Sequence, residues 1–132
     1  MNNSILIINN TAAPQVLAGI LGRAGFGVET VPDMFTGLER LGARDYGVTI
    51  VLEKPEADSR TVCEKIRGVT GCPLIVISAN ASTETCIQAI RAGADYFLRK
   101  PFGPLEFLAR IKSLLQRTSS RQPAHISFQA QG

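Results

Sequence analysis

The chain has 132 residues, 45% of them hydrophobic and 19% charged. That length sets the expectation of one domain with a core of ordinary size, and the balance excludes a disordered segment. A net charge of +3, with the basic residues scattered, is too weak to argue for nucleic-acid binding. No apolar run approaches the roughly 20 residues that span a bilayer. The N-terminus has neither a basic segment nor a small-residue cleavage site, so a cytoplasmic protein is expected. Cys63, Cys72 and Cys86 are odd in number and lack CxxC spacing, which fits reduced thiols better than disulfides or zinc.

Short apolar runs alternate with helix-like stretches. Residues 5–8 (Ile-Leu-Ile-Ile) predict a buried strand. Pro14 suits a helical first turn, and Val16, Leu17, Ile20, Leu21 and Ala24 follow at helical spacing up to Gly25. Gly27 to Val31 predicts a second strand, and Asp33 an N-cap for a helix through Leu38 and Leu41. Residues 47–52 predict a third strand. Val62, Cys63 and Ile66 mark a short helix ended by Gly68. A fourth strand runs from Leu74 to Ile77. Ser82 caps a helix carrying Ile87 and Ile90 and ended by Gly93. Tyr96 to Leu98 is a brief fifth strand, and Pro104 starts a last helix with Leu105, Leu108, Ile111 and Leu115 on one side.

Five βα units with near-continuous apolar strands predict an α/β fold, a doubly wound five-stranded parallel sheet. Ligands of such sheets bind beyond the carboxyl ends of the strands. Asn9, Asn10, Val51, Glu53, Ser78 and Lys100 fall at or just past those ends. Residues 119–124 shift to Ser, Arg, Gln and Pro and read as a linker containing no catalytic base; His125 belongs with it. Ile126-Ser127-Phe128 alternates like the start of a further strand.

Over about residues 4–118 the pattern resembles the CheY-like receiver domain of two-component response regulators. The stretch Ala92-Gly93-Ala94-Asp95-Tyr96-Phe97-Leu98-Arg99-Lys100-Pro101-Phe102 carries most of the resemblance. Pro55 with Asp58-Ser59, and Leu74 through Ala79, add to it in order and at the family's spacing. The resemblance implies that an acidic pair falls on Asn9 and Asn10 and the phosphoacceptor on Val51. It places the phosphoryl-contacting hydroxyl and lysine at Ser78 and Lys100, and the aromatic switch at Phe97, which lacks a hydroxyl. Mg²⁺ prefers charged oxygen ligands, and phosphoryl transfer needs both that metal and a nucleophile. With two asparagines and a valine in place of the acids, no Mg²⁺ cofactor, no aspartyl phosphorylation and no enzymatic activity are expected.

Several positions carry two readings. Glu53 shares a strand face with Val51 if that strand extends so far; its carboxylate then either reaches Lys100, imitating a phosphorylated charge state, or points to solvent. Lys100 is a pocket lysine or a surface one. Ser78 is a ligand contact or satisfies a strand-end backbone group. Asn9 and Asn10 line a pocket or simply form a turn. A shift of register would bring Leu52 or Glu53 to the acceptor position.

The last helix resembles that of the OmpR/PhoB subfamily, whose receivers pair through the fourth helix, fifth strand and fifth helix. The implied homodimer face comprises Ile90, Arg91, Asp95, Tyr96, Glu106, Leu108, Arg110 and Lys112, with Ile90 and Leu108 as its apolar centre. Tyr96 replaces an acid there, and Arg91 would face Lys112, so the salt-bridge network is incomplete. The expectation is an atypical, phosphorylation-independent receiver domain (residues 1–118) of an OmpR/PhoB-like transcription regulator. Residues 119–132 would lead to a missing winged-helix domain, through which alone DNA is bound, and a histidine kinase or another protein is a further partner. The alternatives are a ligand-sensing pseudo-receiver using the strand-end pocket and a stand-alone adaptor docking through its last helix.

Overall fold

The computed structural model describes residues 2–11, 16–55, 57–79 and 81–120. In chain order the elements are β1 (Ser4–Asn9), α1 (Leu17–Arg23), β2 (Gly27–Val31), α2 (Met34–Ala43), β3 (Val48–Glu53), α3 (Ser59–Arg67), β4 (Leu74–Ala79), α4 (Thr83–Arg91), β5 (Tyr96–Lys100) and α5 (Pro104–Ser120). All strand pairs are parallel, in the order β2-β1-β3-β4-β5. The expected doubly wound sheet is therefore present.

Alternation along the strands divides the core into two layers, because successive side chains point to opposite faces. Leu6, Ile8, Val51, Val76 and Phe97 face α2, α3 and α4, where Leu41, Ile66 and Ala89 meet them. Ile5, Ile7, Ile50, Leu52, Ile77 and Leu98 face the opposite way, against Leu17 and Leu21 of α1 and Phe107 and Ile111 of α5. Each such buried aliphatic side chain contributes roughly 1.5–3 kcal/mol. The register then aligns the strand ends: Ile8 lies beside Val51, Val51 beside Val76, Glu53 beside Ser78, and Ala79 beside Lys100.

The Asp33 and Ser82 caps follow the sequence signals, and Asp58 adds a third. Asp33 accepts from Thr36 N–H at 2.8 Å, Asp58 from Thr61 N–H at 3.1 Å, and Ser82 from Thr85 N–H at 3.1 Å. Gly93 turns the chain after α4 with φ +125°, and a Cβ there would run into the Arg67 side chain. The space left by glycine lets the Arg67 guanidinium reach Gly93 C=O at 2.6 Å and Asp95 at 3.2 Å.

Four strands end later than the apolar runs indicate: β1 reaches Asn9, β3 includes Glu53, β4 reaches Ala79 and β5 reaches Lys100. The parallel ladder continues through backbone hydrogen bonds whatever the side chain. Helix α5 likewise continues to Ser120, two residues into the segment expected as a linker. The Pro14 helix start, His125 and the Ile126–Phe128 segment lie outside the described residues.

Candidate functional site

The carboxyl ends of β1, β3 and β4 bring Asn9, Asn10, Val51, Glu53 and Ser78 to one end of the sheet. Val51 is fully buried between Ile8 and Val76 and presents only methyl groups. Asn9 Oδ1 accepts from Thr11 N–H at 3.0 Å and Thr11 O–H at 2.6 Å, the closed turn that an asparagine after a strand forms. Asn10 continues the ladder through its N–H to Leu52 C=O at 2.9 Å. Its side-chain amide donates to Glu53 Oε1 at 2.8 Å.

Glu53 is 4% exposed, and its second oxygen, Oε2, is buried without a hydrogen-bond partner among the described residues. Burial raises its carboxyl above the usual value of 4.5; the Asn10 hydrogen bond opposes that rise, and the Asp58 charge adds to it. Beneath it, burial pushes the Cys63 thiol up to about 12, so Cys63 stays a protonated core group.

Neither expected position of Glu53 holds. It does not point to solvent, and no ion pair joins it to Lys100 among the described residues. Glu53 lies two residues after Val51, on the α2–α4 side, whereas Lys100 lies two residues after Leu98, on the α1–α5 side. Lys100 is exposed and lines a cavity with Val16, Leu17 and Phe102. The Ser78 hydroxyl makes long contacts to the Lys54 and Ala79 carbonyls, at 3.4 and 3.3 Å, the strand-end backbone role. Phe97 is 1% exposed within the α4-side core.

The dimer-face residues scatter more than expected. Asp95 is buried and spent inside the subunit, accepting from Leu74 N–H at 2.8 Å beside Arg67. Tyr96 is buried too, with the Arg110 guanidinium 5.5 Å above its ring and Glu106 3.4 Å from that guanidinium. Ile90 and Leu108 do not form one apolar centre. Ile90 belongs to the α4-side core, while Leu108 packs on the other layer and lines a groove with Val16 and Ile20 of the α1 region. Arg91 and Lys112 remain exposed. Sequence reasoning missed the Asn10–Glu53 bond and the Arg67–Asp95 anchor; both require the strand register.

Residues 5–112 match the family model described as response regulator receiver domain. The chain belongs to that family. It is 36% identical over 118 residues to the response regulator MprA of Mycobacterium leprae, covering 86% of this chain and 51% of that protein. It is 34% identical over 98 residues to the transcriptional regulatory protein CseB of Streptomyces avermitilis, covering 74% and 42%. The chain thus spans about half the length of the curated relatives it matches. Among solved structures it is similar to a CheY-like receiver domain protein of Methanospirillum hungatei, with TM-score 0.79, 25% identity, and coverage of 92% of this chain and all of that one. Among the described residues, no helix is long and apolar enough to cross a membrane.

Proposed function

We propose that this domain is an atypical receiver that regulates an attached transcription-regulatory output without being phosphorylated. The observation that carries the reading is Val51, buried and apolar between Ile8 and Val76 where the family resemblance places the acceptor aspartate. An alkyl side chain cannot accept a phosphoryl group. The metal side of the chemistry is equally poor. The Asn9 carbonyl already accepts two hydrogen bonds from Thr11. Glu53 is the carboxylate at the crevice, and its burial favours the protonated form. That donor set does not fit Mg²⁺, which requires several charged or carbonyl oxygens at near-octahedral geometry.

The output is proposed from the relatives' names, two of which are transcriptional or response regulators about twice as long as this chain. Residues past 118 would then lead to a DNA-binding domain, as in the OmpR/PhoB subfamily. Self-association through α4, β5 and α5 would rest on the exposed Arg91 and Lys112, with Glu106 and Arg110 already paired within the subunit. Exposed ion pairs contribute about 0–1 kcal/mol each, so such a dimer would be weak and salt-sensitive.

The direct test is incubation with acetyl phosphate and Mg²⁺ followed by intact-mass measurement. The expected result is no phosphoryl adduct. An adduct mapped to any residue of the strand-end crevice would overturn the reading.

A further inference from the structure

The layer that holds α1 and α5 carries an apolar trough unrelated to the Glu53 crevice. Two cavities, of about 290 and 490 Å³, share Val16, Ile20 and Pro104 and so run into one another. Lys100 and Phe102 line one end, and Arg23 and Leu108 line the other. Val16 is 74% exposed at its centre. Water against such an apolar wall is displaced favourably by hydrocarbon. The two ends are cationic, and among the described residues no acidic side chain lines either cavity. Among the described residues no carboxylate pairs with Lys100.

We propose that this trough binds a small amphipathic carboxylate, its head on the Lys100 ammonium and its chain along Val16, Ile20 and Leu108. An exposed ammonium at the end of an apolar channel recognises that combination. The charge fixes orientation, and the wall supplies the apolar contact that most small-molecule sites use. Each cavity alone, of about 290 or 490 Å³, is towards the low end of such sites, and a short unbranched chain can lie along the two. A second copy of this chain is disfavoured as occupant, because a two-fold pairing would bring Lys100 and Arg23 of both copies towards one face. The proposal goes beyond the regulatory reading and does not depend on it: a ligand at the α1–α5 layer is compatible with a crevice that is phosphorylated or not.

The probe is monomeric sodium octanoate, titrated into the ¹⁵N-labelled chain, with octylammonium chloride at equal ionic strength as the charge-reversed control. Octanoate is expected to give saturable amide shifts at Leu17, Ile20, Phe102 and Leu108, and octylammonium none. Lys100→Gln should weaken octanoate binding roughly tenfold, as the loss of one charge-assisted hydrogen bond implies. Val16→Glu places a carboxylate at an exposed position and should abolish binding while leaving the remaining spectrum folded. Absence of saturation, equal binding of octylammonium, or unchanged affinity in Lys100→Gln would each overturn the proposal. Intact-mass phosphorylation is unaffected by any of these results, so the two readings fail separately.

Discussion

Glu53 holds one carboxylate oxygen on the Asn10 amide and buries the other without a hydrogen-bond partner among the described residues. A buried charged group left half-satisfied costs free energy that folding must offset. Because burial raises its carboxyl above 4.5, the folded chain keeps this proton to higher pH than the unfolded chain does. Stability is therefore greatest, for this group, below 4.5 and falls as pH rises through the folded value. Glu53→Gln keeps the acceptor for Asn10 and removes the charge. It should stabilise the chain at pH 8 by about 1 kcal/mol or more, the gain shrinking as the pH falls towards 4.5 and below. Urea denaturation across that pH range measures it; a Glu53→Gln variant less stable than wild type at pH 8 would mean the carboxylate has a favourable partner. Residue types at the crevice were legible in the sequence: Asn9, Asn10, Val51 and Ser78 all lie at the strand ends that the apolar runs predict. Their partners were not, because whether Glu53 meets Asn10 or Lys100 depends on which sheet face each occupies, and that needs the exact ends of β3 and β5.

At the scale of elements, helix α2 shows how small residues set the layer spacing. Gly37 packs over Ile8, and an added Cβ would press into the Ile8 side chain. Gly22 of α1, by contrast, has open space around it. Alanine favours a helix over glycine by about 1 kcal/mol, and overpacking a core costs roughly 1–3 kcal/mol. The two substitutions should therefore have opposite signs. Gly22→Ala raises stability by up to about 1 kcal/mol, and Gly37→Ala lowers it by about 1–2 kcal/mol, both read from chemical-denaturation midpoints. Equal stabilisation by both would contradict the close approach of α2 to β1. Helix existence and two of the caps followed from local signals: Asp33 and Ser82 each bond the N–H three residues on, and the structure adds Asp58. The rotation of α5 about its axis did not, since Leu105, Leu108, Ile111 and Leu115 look alike in a periodic pattern. Ile111 and Leu115 enter the core, Leu108 half-fills the α1 groove, and Leu105 is 82% exposed.

At the scale of the whole molecule, one sheet separates two ends of chemistry. On one side of the sheet the crevice holds a buried carboxyl–amide pair, Glu53 on Asn10. On the other side Lys100 faces an apolar trough. Glu53 Oε1 is held by Asn10 and Oε2 has no hydrogen-bond partner among the described residues, so Lys100 does not neutralise Glu53 in this arrangement. The face that α4, β5 and α5 share is charged outside and tied up within, with Asp95 on Arg67 and Arg110 over Tyr96. Any assembly through it is thereby expected to be insensitive to events at the Val51 position, because Phe97 between them is packed in apolar core and carries no polar group to link the two. The measurement that tests this most directly is sedimentation across a concentration series, with and without Mg²⁺ and beryllofluoride together. The predicted result is an association state unchanged by the two reagents at every concentration. A shift from monomer to dimer only when both are present would show a working acidic pocket and contradict the account.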